Sequence, residues 1–221
     1  MDRILRAESG WEAAIGEALR VASRPIPLDE RLLPRGPDGE STRRRFDRAT
    51  FPPARPASTL LAIYPGSDGR LVIPLTVRRA DLRSHAGEVS LPGGALDPTD
   101  ASREAAALRE AWEEIGLEPD AVRIAGVLDD VWIPVSNFEL RPFVGTVASQ
   151  PSLVPHDAEV ASIVELPLDA LFDPDALGVE EFTGRGFTVS AGAYRYGGVV
   201  VWGATALTLG MLAHILEGQA R

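Results

Sequence analysis

The chain contains no cysteine, which excludes a disulfide framework, a thiolate zinc site and a cysteine nucleophile. It also has no apolar run as long as a membrane span. The start shows no basic-then-apolar leader, because Asp2, Arg3 and Arg6 run into a mixed amphipathic pattern. Positive charge is short: 22 Lys and Arg face 32 Asp and Glu, for a net charge of -10. Duplex nucleic acid is usually met by basic domains, so no nucleic-acid partner is expected. Together these absences predict a cytoplasmic protein without a membrane partner. An acidic chain can still take a phosphorylated small molecule if metal ions and a few local arginines supply the charge. What is present is an ordinary globular balance, 45% hydrophobic and 24% charged over 221 residues. That suffices for a sizeable core in one large domain, or one domain with a helical extension.

Periodicity predicts an amphipathic helix over 10–23, with Trp11, Ala14, Ile15, Ala18, Leu19 and Ala22 on one face and Pro25 and Pro27 beyond it. Residues 24–57 are rich in Pro and Arg and read as an extended arm on the domain, with disorder the alternative. The organisation is therefore an N-terminal helix and arm over 1–57 and a domain over 58–221. Strand-like runs at 58–64 and 70–78 flank Pro65-Gly66-Ser67-Asp68-Gly69, a hairpin connection. Further strands are expected at 87–91, 122–129, 138–147 and 159–166, with a helical turn at 168–172. A hairpin is expected from 186–191 and 194–201. Helices are expected near 101–116, stopped by Gly116, and near 201–218. Strands mixed with a few helices suggest a sheet covered on both faces.

The helix near 101–116 carries the chemistry. At about 100° per residue, Ala105, Leu108, Ala111, Trp112 and Ile115 share an arc and are expected to be buried, Trp112 among them. Glu110, Glu113 and Glu114 fall on the other side. Like charges at this spacing cost roughly 0.2–0.5 kcal/mol per pair, a cost a cation removes. Oxygen ligands on a rigid helix suit Mg2+ or Mn2+. Such an ion can orient water and neutralise a leaving phosphate. Arg109 can pair with a carboxylate and fix its rotamer. The plain alternative is a solvated acidic face. Against it, Leu91-Pro92-Gly93-Gly94 precedes the helix, and its glycines let backbone come close to helix and ligand.

Residues 94–117 resemble the Nudix box, G-x5-E-x7-R-E-U-x-E-E-x-G-U, where U is aliphatic. Arg109, Glu110, Ala111, Glu113, Glu114, Gly116 and Leu117 fit its second half. In the first half Asp100 stands in place of Glu, and its distance to Arg109 is one residue longer than the pattern. That deviation is similar to the coenzyme A pyrophosphatase branch, whose signature L-L-T-x-R-S-x3-R-x3-G-x3-F-P-G-G is matched within 74–94 at Leu75, Thr76, Arg78, Arg83, Gly87, Pro92, Gly93 and Gly94. Pro74, Arg79 and Leu91 depart from it. The stretches 134–145 and 201–206 also look like the branch.

The resemblance implies an α/β fold, a Nudix-type α/β/α sandwich with a mixed sheet. It further implies metal-dependent hydrolysis of a pyrophosphate bond in coenzyme A or its thioesters, giving 3',5'-ADP and (acyl-)4'-phosphopantetheine. The implied metal ligands are Glu110, Glu114 and Glu113, with the Gly94 backbone as a further contact. Catalytic roles are expected for Glu113, Glu110, Arg109 and, as general base outside the box, Glu159. Arg78 and Arg83, with Gly93 and Gly94, would bind substrate phosphates, the alternative for the arginines being a surface pair with Asp81. Asp100 reads as the helix N-cap. His85 reads as polar surface rather than a proton shuttle, and Arg43-Arg44-Arg45 as a solvated arm. Two other readings stay open: a Nudix hydrolase of another nucleoside diphosphate derivative such as ADP-ribose, and a non-catalytic nucleotide-sensing module. The family and the arm are compatible with a homodimer.

Overall fold

A computed structural model describes residues 6–42, 46–81, 87–184 and 187–218. Its central strand is β1 (Arg55–Pro65), whose residues 57–64 are all buried. Burial on both faces explains an uninterrupted apolar run where a half-exposed strand would alternate. Leu60, Ala62 and Tyr64 face one cluster, with Ala107, Ala111 and Ile115 of the acidic helix. Leu61 and Ile63 face the other, with residues of both terminal helices. The period-two pleat thus divides one strand between two helical layers.

Those helices are α1 (Trp11–Val21), α2 (Arg103–Ile115) and α3 (Gly203–Gly218). Helix α1 buries Trp11, Ile15, Ala18 and Leu19. Helix α3 is apolar nearly all round and buried nearly all round. The remaining strands are β2 (Leu71–Arg78), β3 (Val89–Ser90), β4 (Gly93–Ala95), β5 (Arg123–Val127), β6 (Val131–Ile133), β7 (Phe138–Thr146), β8 (Val160–Pro167), β9 (Leu177–Gly184), β10 (Phe187–Tyr196) and β11 (Val199–Val201). The main sheet is mixed: β1 and β7 run parallel and the other pairs antiparallel. The chain therefore has the expected α/β/α sandwich, α2 on one side and α1 with α3 on the other.

The β1–β2 hairpin positions the site. Its strands pair only beside the turn, at Tyr64↔Val72 and Pro65↔Leu71. Beyond it they splay, β1 toward β4 and β7, β2 toward β3 and β8. Residues 89–95 cross between the splayed strands, pairing first with β2 and then with β1. The Pro92 carbonyl accepts from the Leu60 amide at 2.9 Å and the Thr59 hydroxyl at 2.6 Å, which pins the crossing.

Two expectations need correction. Residues 187–196 form one strand, paired with β9 on one side and β11 on the other, rather than a hairpin of 186–191 with 194–201. Strands β4, β6 and β9 went unforeseen, two of them being only three residues long. The arm at 24–42 is anchored. Asp129 accepts from Arg24 and from the Ile26 amide, both at 2.6 Å, Arg35 pairs with Ser190, and Ile26 and Leu32 are buried.

Candidate active site

Helix α2 is fixed at both ends. Ser102 is its N-cap, its side chain accepting from the Ala105 amide at 3.0 Å. Gly116 ends it in the left-handed region at φ 67, its amide donating back to the last turn. The amides of Val154 and His156 donate to the carbonyls of Ile115 and Glu114, both at 2.9 Å, so a neighbouring loop satisfies helix-end acceptors.

Asp100 is thus not the cap. It takes a two-point ion pair from Arg109, with Nε and Nη2 donating at 2.9 and 3.0 Å. Arg109 Nη1 also donates to Glu110 at 2.9 Å and Glu113 at 3.0 Å. One guanidinium therefore gathers the three acids, as expected of Arg109, and the hydrogen bond to Asp100 contributes most to raising its pKa. Asp100 is held below the usual carboxylate range by the same bond.

The buried face of α2 differs from expectation. It centres on Ala111, with Ala106, Ala107, Glu114 and Ile115 buried, whereas Trp112 is 51% exposed. From Ala111, Glu114 lies about 60° round the helix and Trp112 about 100°. Hydrophobicity placed Trp112 inside; position on the wheel placed Glu114 there instead. Glu114 is 7% exposed, and its Oε2 has no hydrogen-bond partner. Burial is the largest cause of its pKa rising to about 8. Glu110 and Glu159 add to the rise, while Arg78 and the Gly93 backbone oppose it. Burial also raises Glu110.

The two glycines have distinct steric reasons. A Cβ on Gly93 would strike the Ser58 carbonyl and lie 2.7 Å from Thr59 Cα, so β4 could not lie against β1. On Gly94 it would strike the Glu110 carboxylate, 2.5 Å from Cδ and 2.7 Å from Oε2. The expected close approach of backbone to helix is therefore a contact between Gly94 and Glu110.

Arg78 ends β2 at a register shift and points into the acids, 3.6 Å from Glu159 and 4.0 Å from Glu114. Among the described residues Asp81 pairs with Arg79, two positions before it. Glu159 precedes β8 and lines a cleft of about 550 Å³ with Glu110, Trp112, Glu113, Glu114, Gly116, Val154, Pro155 and His156. His156, Val154 and Pro155 escaped the sequence reading; a Pro- and His-bearing stretch just before a strand was their only signal. Arg83, His85 and Arg43-Arg44-Arg45 lie outside the described residues.

The donor set suits a hard divalent cation: all-oxygen carboxylates, one with a buried oxygen that has no hydrogen-bond partner. In the rotamers present, no three acidic or histidine side chains among the described residues are gathered closely enough to hold an ion. Arg109 engages both Glu110 and Glu113, so an ion would compete with it for their oxygens.

A sequence model of the NUDIX domain matches residues 54–184. Curated relatives include the uncharacterized Nudix hydrolase NudL of Pectobacterium atrosepticum, 49% identical over 98 residues, covering 44% of this chain and 50% of that protein. The protein of that name from Citrobacter koseri is 40% identical over 132 residues, covering 60% and 68%. The chain spans about half the length of the Pectobacterium relative. Among solved structures, a MutT protein from Methanosarcina mazei Go1 superposes with a TM-score of 0.50 at 16% identity, covering 76% of this chain and 97% of that one. That likeness concerns the fold alone. With the matched segment running from the start of β1 to the end of β9 and containing all of α2, the chain belongs to the Nudix family.

Proposed function

We propose that the chain is a divalent-metal-dependent pyrophosphohydrolase that cleaves coenzyme A or its thioesters into 3',5'-ADP and (acyl-)4'-phosphopantetheine. The observation that carries the hydrolase reading is the buried Glu114, one oxygen unpartnered, which feels the charges of Glu110 and Glu159 and faces Arg78, itself 3.6 Å from Glu159. Nudix hydrolases generally use divalent metals, and Glu110, Glu113 and Glu114 would hold Mg2+ or Mn2+ here. Bound there, the ion would supply charge against the diphosphate oxygens and an acidified water.

The chain's own residues do the rest. Glu159, with its side chain 54% exposed, is open to take the proton of the attacking water; Glu113 is the alternative base on α2. Water adds its oxygen to one phosphorus, the bridging P–O bond breaks, and the other phosphate leaves with the bond pair. Arg78 faces the phosphates as they separate, and Arg109 holds Glu110 and Glu113 in register. The coenzyme A moiety rests on the signature at 74–94, to which Arg78, Gly93 and Gly94 belong; Arg83 is its other arginine. The test is incubation of pure protein with coenzyme A and Mn2+ or Mg2+, with 3',5'-ADP the expected product. Absence of product across metals and pH, beside turnover of ADP-ribose or a dinucleotide polyphosphate, would move the substrate within the family. Binding without any turnover would make it a sensing module.

A further inference from the structure

Trp112 stands beside the carboxylates yet takes no part in holding them. It is 51% exposed, outside the arc that packs on the sheet. Single exposed apolar side chains are ordinary, but this one has company. Val154 is 64% exposed and faces Gly116, which lies one helical turn beyond Trp112; with Pro155 these residues line the same cleft as Glu110, Glu113, Glu114, His156 and Glu159. One cleft thus joins an apolar wall to an acidic one, and adjacent residues, Trp112 and Glu113, mark the join. The loop forming that wall is fixed to α2 by the Val154 and His156 amides, so the wall is built rather than incidental.

We infer that Trp112 is the platform on which the substrate's nucleobase stacks, with Val154 and Pro155 completing the surface. This rests on the reading that the cleft is where a diphosphate is cut. Phosphates and their cations belong on the acidic side, so the apolar wall receives what is attached to them. The wall is open to solvent and presents a flat indole. A planar base gains from one-sided stacking, whereas a flexible pantetheine or acyl chain must lose rotamer freedom without being enclosed. Trp112 is accordingly a specificity residue for the base, separate from the acids that act at phosphorus.

Base–aromatic stacking is worth about 1–3 kcal/mol, or roughly 5- to 150-fold in affinity. The experiment is calorimetric titration of wild type, Trp112→Ala and Trp112→Phe with ADP and, separately, with 4'-phosphopantetheine, each with Mg2+. Trp112→Ala should bind ADP at least about fivefold more weakly. Trp112→Phe should recover most of that loss, and 4'-phosphopantetheine should bind all three alike. Matching ADP affinity in wild type and Trp112→Ala would overturn the inference. So would a loss confined to 4'-phosphopantetheine, which would assign the wall to the other arm. Because the readout is binding, failure of the coenzyme A assignment, seen as missing turnover, stays distinguishable from failure of the platform.

Discussion

Replacing each of the two adjacent glycines by alanine should give opposite phenotypes. At Gly93 the new methyl meets main chain: the Ser58 carbonyl and Thr59 Cα at 2.7 Å, with Thr59 Cβ at 2.8 Å. Backbone in the middle of β1 cannot retreat, because it is paired with β7 from Arg55 through Ile63. Overpacking of this kind costs about 3 kcal/mol or more, a loss of roughly 6–12 °C in Tm for a chain of this size. At Gly94 the three atoms nearest the methyl all belong to the carboxylate end of Glu110, which can rotate away. The cost there is the Arg109–Glu110 hydrogen bond, about 1 kcal/mol since Arg109 keeps Asp100 and Glu113, and roughly 2–4 °C.

Function should follow the reverse order. A carboxylate misplaced by about 1 Å can cost on the order of 100-fold in turnover. Gly94→Ala is therefore expected to melt near wild type, bind Mn2+ more weakly and lose about two orders of magnitude in kcat. Differential scanning calorimetry, Mn2+ titration and a product assay on the same preparations make the comparison. Equal melting losses in the two variants would refute the steric argument. Wild-type Mn2+ affinity and turnover in Gly94→Ala would refute the role given to Glu110 against the glycine.

Glu114→Gln should abolish most turnover yet stabilise the metal-free protein in alkaline solution. The native pKa of about 8 lies above the ordinary 4.5, so the stability tied to the bound proton is complete below about pH 4.5 and is lost as pH rises through 8. The wild-type Tm should therefore fall between pH 5 and 9 relative to Glu114→Gln, by the equivalent of a few kcal/mol at most, on the order set by that shift; parallel melting curves would count against a buried, strained carboxylate. Mn2+ fixed at about 100 times its Kd at pH 6 should raise stability by roughly 2.7 kcal/mol there, the same concentration should raise it more at pH 8, and EDTA should reverse both. A metal-independent Tm would remove the site from the cluster. Arg109→Lys keeps the charge but loses the fork that reaches Asp100 at two points, and kcat should drop at least about tenfold with little change in KM; unaltered kinetics would show that the guanidinium does not set the acids.

The strands and helices with strong periodicity were legible: the β1–β2 hairpin, α1, α2 and α3 all fall within a few residues of their expected bounds. The acids of α2 were legible as a group, yet their inequality was not. Hydropathy puts a tryptophan inside and a glutamate outside, and here the packing of Ala107, Ala111 and Ile115 against Leu60 and Ala62 sets the face and reverses both. Asp100 illustrates a second limit. A carboxylate shortly before a helix reads as a cap, and only the fold shows Ser102 capping while Asp100 reaches nine residues ahead to Arg109. Strands of three residues, such as β4 and β6, carry too few side chains for a period; the strand beside them makes them strands.

Three-dimensional linkage also explains how a residue far along the chain can serve the same centre. Glu159 is 45 positions from Glu114, but the loop between them is tied to the helix by main-chain hydrogen bonds. Val154 donates to Ile115, His156 donates to Glu114, and the Glu159 amide donates back to His156. From the other side, Arg79 donates its amide to the Glu159 carbonyl, next to Arg78. The base candidate is therefore registered to the acidic helix and to the arginine strand by backbone geometry, whatever its exposed side chain does. Backbone carries no side-chain pattern, which is why Glu159 could be named from sequence while its registration to the acidic helix and to the arginine strand had to be seen folded.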